Sequence, residues 1–195
     1  MYATFGDFDR AVTAMNEAQA LDPLSSVVAT DIAIFTLAQE KYDVAAAWTQ
    51  KALELDQNAP YCHAILADIA LARGYLAEAE REARLEPHAE TKEFALTLVR
   101  QRSGNRSVAD AALREFRRRH EKLSPYLVAS VYAFRGDADA AFAWLDRAYR
   151  ARDLGTIDFR GSPSFGRLRT DPRYRAFCKT LGVDRSDAST TETSL

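Results

Sequence analysis

Gly6-Asp7-Phe8-Asp9-Arg10-Ala11 and Glu40-Lys41-Tyr42-Asp43-Val44-Ala45 are the two stretches whose alignment decides the fold. Aromatic falls on aromatic, Asp on Asp and Ala on Ala at a spacing of 34 residues. The match runs on through Ala18 and Ala52, Leu21 and Leu55, and Asp22 and Asp56. Gly74-Tyr75-Leu76-Ala77-Glu78-Ala79 follows at the same interval, and two looser copies end at Ala109 and Ala141. In four of the five units a Gly stands five residues before the anchor Ala. A period of this length marks a stack of like units, none of which can bury its apolar face alone.

Within each unit, about a dozen residues of helical periodicity precede the Gly and a similar stretch follows it. The Gly suits the left-handed conformation that ends one helix, and the Asp after it suits the start of the next. Two antiparallel helices joined by a short turn are therefore expected in each unit. Ala11, Ala45, Ala79, Ala109 and Ala141 then mark the close crossing of each pair, where a larger side chain would force the axes apart. Composition agrees: 35 Ala stand against 8 Gly and 6 Pro, which favours an all-α chain.

This pattern resembles the tetratricopeptide repeat family, whose unit reads W-x2-L-G-x2-Y, then A-x3-F, then P. The last unit carries it as Val128-Ala129-x2-Tyr132 and Ala141-x3-Leu145, the third as Leu66-Ala67-x2-Ala70 and Ala79-x3-Ala83, and the second as Ile32-Ala33-x2-Thr36 and Ala45-x3-Thr49. The first unit has only Tyr2, Ala11-x3-Met15 and Pro23. The family's Trp slot holds Ala29, His63, Glu93 and Pro125, and the fourth unit has Thr97 and Arg100 in place of Gly and Tyr. The resemblance implies an all-α, right-handed superhelical solenoid of about four and a half hairpins over residues 1–153.

Two departures from strict repetition have consequences. Tyr2 already occupies the late aromatic slot of a first helix, so the helix near residues 7–21 is expected to turn Phe8, Val12 and Met15 toward a missing neighbour. This suggests the carboxyl-terminal part of a longer protein, or self-association through that face. In addition, Pro87 follows Ala79 by 8 residues where Pro23 follows Ala11 by 12, so the second helix of the third unit should be about one turn shorter.

Residues 154–183 read as a loop rich in Gly155, Gly161, Pro163 and Gly166, followed by a capping helix. Asp171 and Pro172 start that helix, Tyr174, Phe177 and Leu181 form its apolar face, and Gly182 stops it. The string Pro163-x-Phe165-x2-Leu168-Arg169-x-Asp171-Pro172-Arg173-Tyr174 is similar to the segment closing many bacterial tetratricopeptide arrays. Such arrays often follow an adenylate-cyclase, kinase or winged-helix domain. The segment is expected to cover the open end of the last hairpin. Residues 184–195, Ser/Thr-rich and without apolar period, are expected to be disordered.

Charge and motif content narrow the chemistry. Lys+Arg 26 against Asp+Glu 28 does not suggest a polyanion partner. The run Arg114, Arg117, Arg118, Arg119, His120 and Lys122 is interleaved with Glu115 and Glu121 and reads as a solvated face. Cys62 and Cys178 are too few and too distant for a disulfide framework and fit a reducing compartment. With no uncharged apolar run near the roughly 18 residues of a membrane span, and Asp7, Asp9 and Arg10 where an export signal would be apolar, a cytoplasmic protein is expected. His63, His88 and His120 lack metal-ligand spacing, and no phosphate-loop or nucleophile-elbow motif occurs. No catalytic residue, cofactor or metal is expected.

In the family, the first helices of successive repeats line a concave groove. Its slots, carried over repeat by repeat, are Thr30, Ile34 and Leu37 in the second unit, then Tyr61, Ala64, Asp68 and Leu71 in the third. Phe94 and Leu98 follow from the fourth, and Tyr126, Ser130 and Phe134 from the fifth. The Lys/Asn arrangement by which chaperone-binding members clamp a terminal carboxylate is missing. What remains is an apolar trough with one carboxylate, Asp68. The expectation is a non-catalytic protein-interaction scaffold that binds a peptide or helix, at the regulatory end of a larger bacterial signalling protein. The alternative is the carboxyl-terminal part of a signalling enzyme or transcription regulator whose active domain lies upstream.

Overall fold

The computed structural model describes residues 2–184, so the remainder of the expected disordered tail, 185–195, lies outside the described residues. Among the described residues the chain is all-α. Its helices are α1 (Phe8–Leu21), α2 (Ser26–Ala38), α3 (Tyr42–Leu55), α4 (Cys62–Arg73), α5 (Leu76–Leu85), α6 (Ala89–Gln101), α7 (Arg106–His120), α8 (Pro125–Arg135), α9 (Ala138–Arg150) and α10 (Pro172–Thr180). Short 3-10 turns occur at Ala3–Phe5, Leu154–Asp158 and Pro163–Leu168. The architecture is a solenoid of helical hairpins: α2 packs on α3, α4 on α5, α6 on α7 and α8 on α9. Each second helix also rests on the first helix of the next hairpin. The first helices touch in succession, α2 on α4, α4 on α6 and α6 on α8, so theirs is the inner face of the curve.

The five anchor alanines lie at the crossings, with exposures of 4% (Ala11), 0% (Ala45), 0% (Ala79), 8% (Ala109) and 0% (Ala141). Burial to this degree leaves no room for a larger side chain, which is why the small residue recurs. The turn before each crossing is left-handed in every unit: φ is 74° at Gly6, 81° at Gly74, 73° at Gly104 and 90° at Gly136. Glu40, the one non-glycine at this position, takes φ 60° as well. The repeat geometry thus imposes the conformation even on a residue that carries a Cβ.

Helix starts follow the side chains available. Asp7, Asn105 and Asp137 accept the backbone N–H of Arg10, Val108 and Ala140. The inner helices α4 and α8 use a carboxylate from the far end of their own hairpin. Glu86, fully buried, accepts N–H bonds from Tyr61 (3.2 Å), Ala64 (3.2 Å) and His88 (3.1 Å). Asp153 accepts them from Tyr126 (2.8 Å) and Gly155 (2.9 Å). Each such bond satisfies an N–H that a helix start leaves without a partner. Helix α5 has 10 residues against 14 in α1 and α3 and 15 in α7, the shortening expected from the displaced Pro87.

Beyond α9 the chain does not run out as an open loop. Its two 3-10 turns fold back, the second against α8, and α10 closes the cluster. Phe159 and Phe165 are fully buried there. The Phe159 ring stands 4.9 Å from Phe165, 4.5 Å from Tyr174 and 5.0 Å from Phe177. Around them lie Ala129, Ala133, Ala141, Leu145 and Ala148 of α8 and α9. Gly155 permits the closest approach: a Cβ there would fall 2.5 Å from the Tyr126 ring.

The fold-back extends further than a cap on the last hairpin. Residues 154–158 touch the turn at 3–5, and Phe5 joins the carboxyl-terminal cluster. A Cβ on Gly161 would lie 3.3 Å from Phe8, and Arg169 reaches Glu40 at 3.5 Å. The neighbour that Phe8 was expected to lack is therefore supplied by the chain's own tail.

Candidate functional site

A cavity of about 290 Å3 lies on the inner face, where the fold-back crosses the first helices. Helix α2 contributes Ile34, Phe35, Leu37 and Ala38, and α4 with its leading residue contributes Tyr61, Ala64, Ile65 and Asp68. Thr91, Phe94 and Ala95 come from α6 and Leu127 from α8. The opposite wall is Ala3, Thr4 and Phe8 together with Ile157, Asp158, Gly161, Ser162 and Pro163. Helical periodicity explains the first wall: residues 34, 37 and 38, and again 61, 64, 65 and 68, share one face of their helices.

Six of the twelve groove slots meet here: Ile34, Leu37, Tyr61, Ala64, Asp68 and Phe94. The other six lie outside the cavity wall. Leu71 and Leu98 are buried between helices. Thr30 is buried, its hydroxyl on the Ser26 carbonyl at 2.9 Å and 3.4 Å from Cys62 Sγ. Tyr126 lies beneath Phe165, ring centres 5.8 Å apart, and is 5% exposed. Ser130, 1% exposed, donates to the Tyr126 carbonyl at 3.0 Å. Phe134 is stacked under the Arg102 guanidinium at 4.7 Å. The inner face near α8 is thus occupied by the fold-back. Sequence periodicity missed residues 157–163 of the second wall, since that segment follows no repeat. The one available signal was the Pro163-x-Phe165 string, which marked a docking segment without saying where it docks.

Tyr61 forms part of the rim. It holds φ 69° and is 46% exposed, its ring 6.1 Å from the His88 ring. A left-handed tyrosine costs roughly 1 kcal/mol or more, here offset by the bond from its N–H to buried Glu86. Ile34, at 36%, and Ile157 are also exposed apolar residues of the cavity wall.

The electrostatics come from two carboxylates in an apolar wall. Desolvation pushes the Asp68 carboxyl up to about 7. Burial also raises the Asp158 carboxyl. The Tyr126 hydroxyl is pushed up by burial first and by the charge of Asp158 second.

Elsewhere many titratable groups are engaged. His63 Nδ1 meets Glu82 at 2.9 Å, and His120 Nε2 meets Glu93 at 2.8 Å. In the arginine run, Arg118 and Arg119 both bond Glu115, Arg119 also reaches Glu93, and Arg117 pairs with Glu121. Cys62 is buried and its thiol is pushed up by that burial. Among the described residues no His/Cys/Asp/Glu group could hold a metal ion, and no helix is long and apolar enough to cross a membrane.

No protein-family model matches the sequence, and no curated relative matches it. Among solved structures the chain is similar to the crystal structure of YrrB, described as a TPR protein with an unusual peptide-binding site. The two are 15% identical over 91% of this chain and 95% of that one, with a TM-score of 0.49.

Proposed function

We propose that the chain is a non-catalytic interaction scaffold that takes an apolar side chain of an extended partner segment into the inner-face cavity. The observation that carries this reading is the cavity itself: about 290 Å3, apolar for the most part, and open beside the exposed Ile34 and Tyr61. That volume is near the lower end of the ~300–1,000 Å3 range of ligand pockets. A cavity of this volume takes a side chain rather than a whole helix about 10 Å across, which favours an extended segment. The tail's resemblance to segments that close bacterial arrays supports a place in a bacterial signalling protein. Two buried free cysteines suit a reducing cytoplasm.

The test is selection of peptides from a displayed library on the whole chain, followed by binding to Ala64→Phe. This substitution fills the cavity and leaves the anchor alanines untouched. Selected peptides should lose at least tenfold in affinity while circular dichroism stays unchanged. Undiminished binding would place the interface elsewhere.

A further inference from the structure

Asp68 and Asp158 face the cavity from different walls, one on α4 and one on the fold-back. Among the described residues neither carboxylate has a hydrogen bond or an ion pair, and no Lys, Arg or His lines the cavity. Asp31, also partly buried, shares this lack, but the most deeply placed carboxylates of this chain are provided for. Glu82 has His63 and Arg81, Glu86 has three backbone N–H groups, Asp110 has Arg135, and Asp153 has two N–H groups. Asp68, half-buried, is partly withdrawn from water and needs a counter-charge or donors, while Asp158 stands exposed at the edge of the cavity. In this cavity the protein supplies neither.

We propose that the side chain entering the cavity is a lysine, its ammonium held by Asp68 and Asp158 and its methylene stem lying along Ile34, Phe35 and Phe94. This rests on the reading that the cavity receives a partner segment. A stem of four methylenes suits an apolar wall while its head keeps the charge. Three ammonium donors match two carboxylates and one wall hydroxyl, Ser162 or Thr4, in number. A guanidinium pairs best in plane with a single carboxylate, whereas the ammonium's three tetrahedral donors suit acceptors on different walls. Desolvation raises the Asp68 carboxyl to about 7, and the attraction of an arriving cation would offset that cost.

The deciding experiment uses arrays of terminally blocked peptides whose central residue is lysine, norleucine or acetyl-lysine, flanked by randomised apolar positions. The full chain and the variants Asp68→Asn and Asp158→Asn are applied at pH 8. Lysine peptides should be retained at least tenfold better than norleucine and acetyl-lysine peptides. Each variant should lose that preference while still holding norleucine peptides as the parent does. Equal retention of lysine and norleucine would overturn the lysine assignment and leave the scaffold reading standing. Failure to retain any of the three would overturn both. Competition by free hexylammonium at the affinity of the lysine peptides would also overturn it, making the site one for small amines.

Discussion

The hairpin crossings and the carboxyl-terminal fold-back reach full burial with opposite means. At the crossings the side chain is an alanine repeated five times, and precision comes from the backbone approach it permits. In the fold-back the same burial is reached by rings, Phe159 at the centre with Phe165, Tyr174 and Phe177 around it. Small residues in register propagate a regular stack. Large rings stop it by filling a space of no fixed period. The comparison teaches that an array needs tolerance of close contact, whereas its terminus needs volume.

The largest expected effect is at the ring centre. Phe159→Ala should destabilise the chain by about 3–5 kcal/mol, read as a lower urea midpoint, and should loosen the contact with residues 3–8. Overpacking a crossing is the matched experiment. Ala45→Leu should cost about 1–3 kcal/mol by forcing α2 and α3 apart, with the fold-back retained by near-ultraviolet circular dichroism. A larger loss from Ala45→Leu than from Phe159→Ala would reverse the comparison.

Asp68 lies where the two regions face each other, and its titration reports on their junction. The folded carboxyl takes up its proton at about 7, and the unfolded one near the ordinary 3.8. Between these values the folded state binds more protons, so this group's contribution to stability rises as pH falls. Asp68→Asn should therefore stabilise the chain at pH 8 relative to its effect at pH 4, by up to about 4 kcal/mol. Chemical unfolding at the two pH values checks the sign. A parent whose stability profile matches that of Asp68→Asn would mean the two walls stand apart in solution.

The smallest effects come from the left-handed turns. Gly136→Ala meets nothing within 4 Å yet must hold φ 90°, and should cost about 1 kcal/mol. Glu40→Gly removes the same strain and should stabilise by about 0.5 kcal/mol. The lost Arg169 contact is exposed and subtracts little. Thermal unfolding of both variants should show opposite shifts.

Much of the array was legible in the sequence because its information is local and repeated. The anchor alanines, the left-handed turns and the shortened α5 all follow from spacing. The start of α10 was equally clear, as Asp171 accepts the Arg173 N–H beside Pro172. The destination of residues 154–170 was not legible, since their contacts are with α8 and with the opposite end of the chain. The candidate site was readable by halves for the same reason. Ile34, Ala64 and Asp68 sit on a wall set by helical period. Tyr126 and Ser130 hold equivalent slots, but the fold-back covers them, and Leu71 and Leu98 turn into the next helix. Asp158, the second carboxylate, belongs to the segment without a period and carried no signal of its own.

The contact of Phe8 with Gly161 changes how the molecule should come apart. A linear stack frays from its outermost units, because each answers only to its neighbours. Here the first and last units are clasped together, so neither is free to unzip alone. Hydrogen exchange in α1 and α9 should then proceed through a single whole-molecule opening, and refolding should wait on one late meeting of the two extremities.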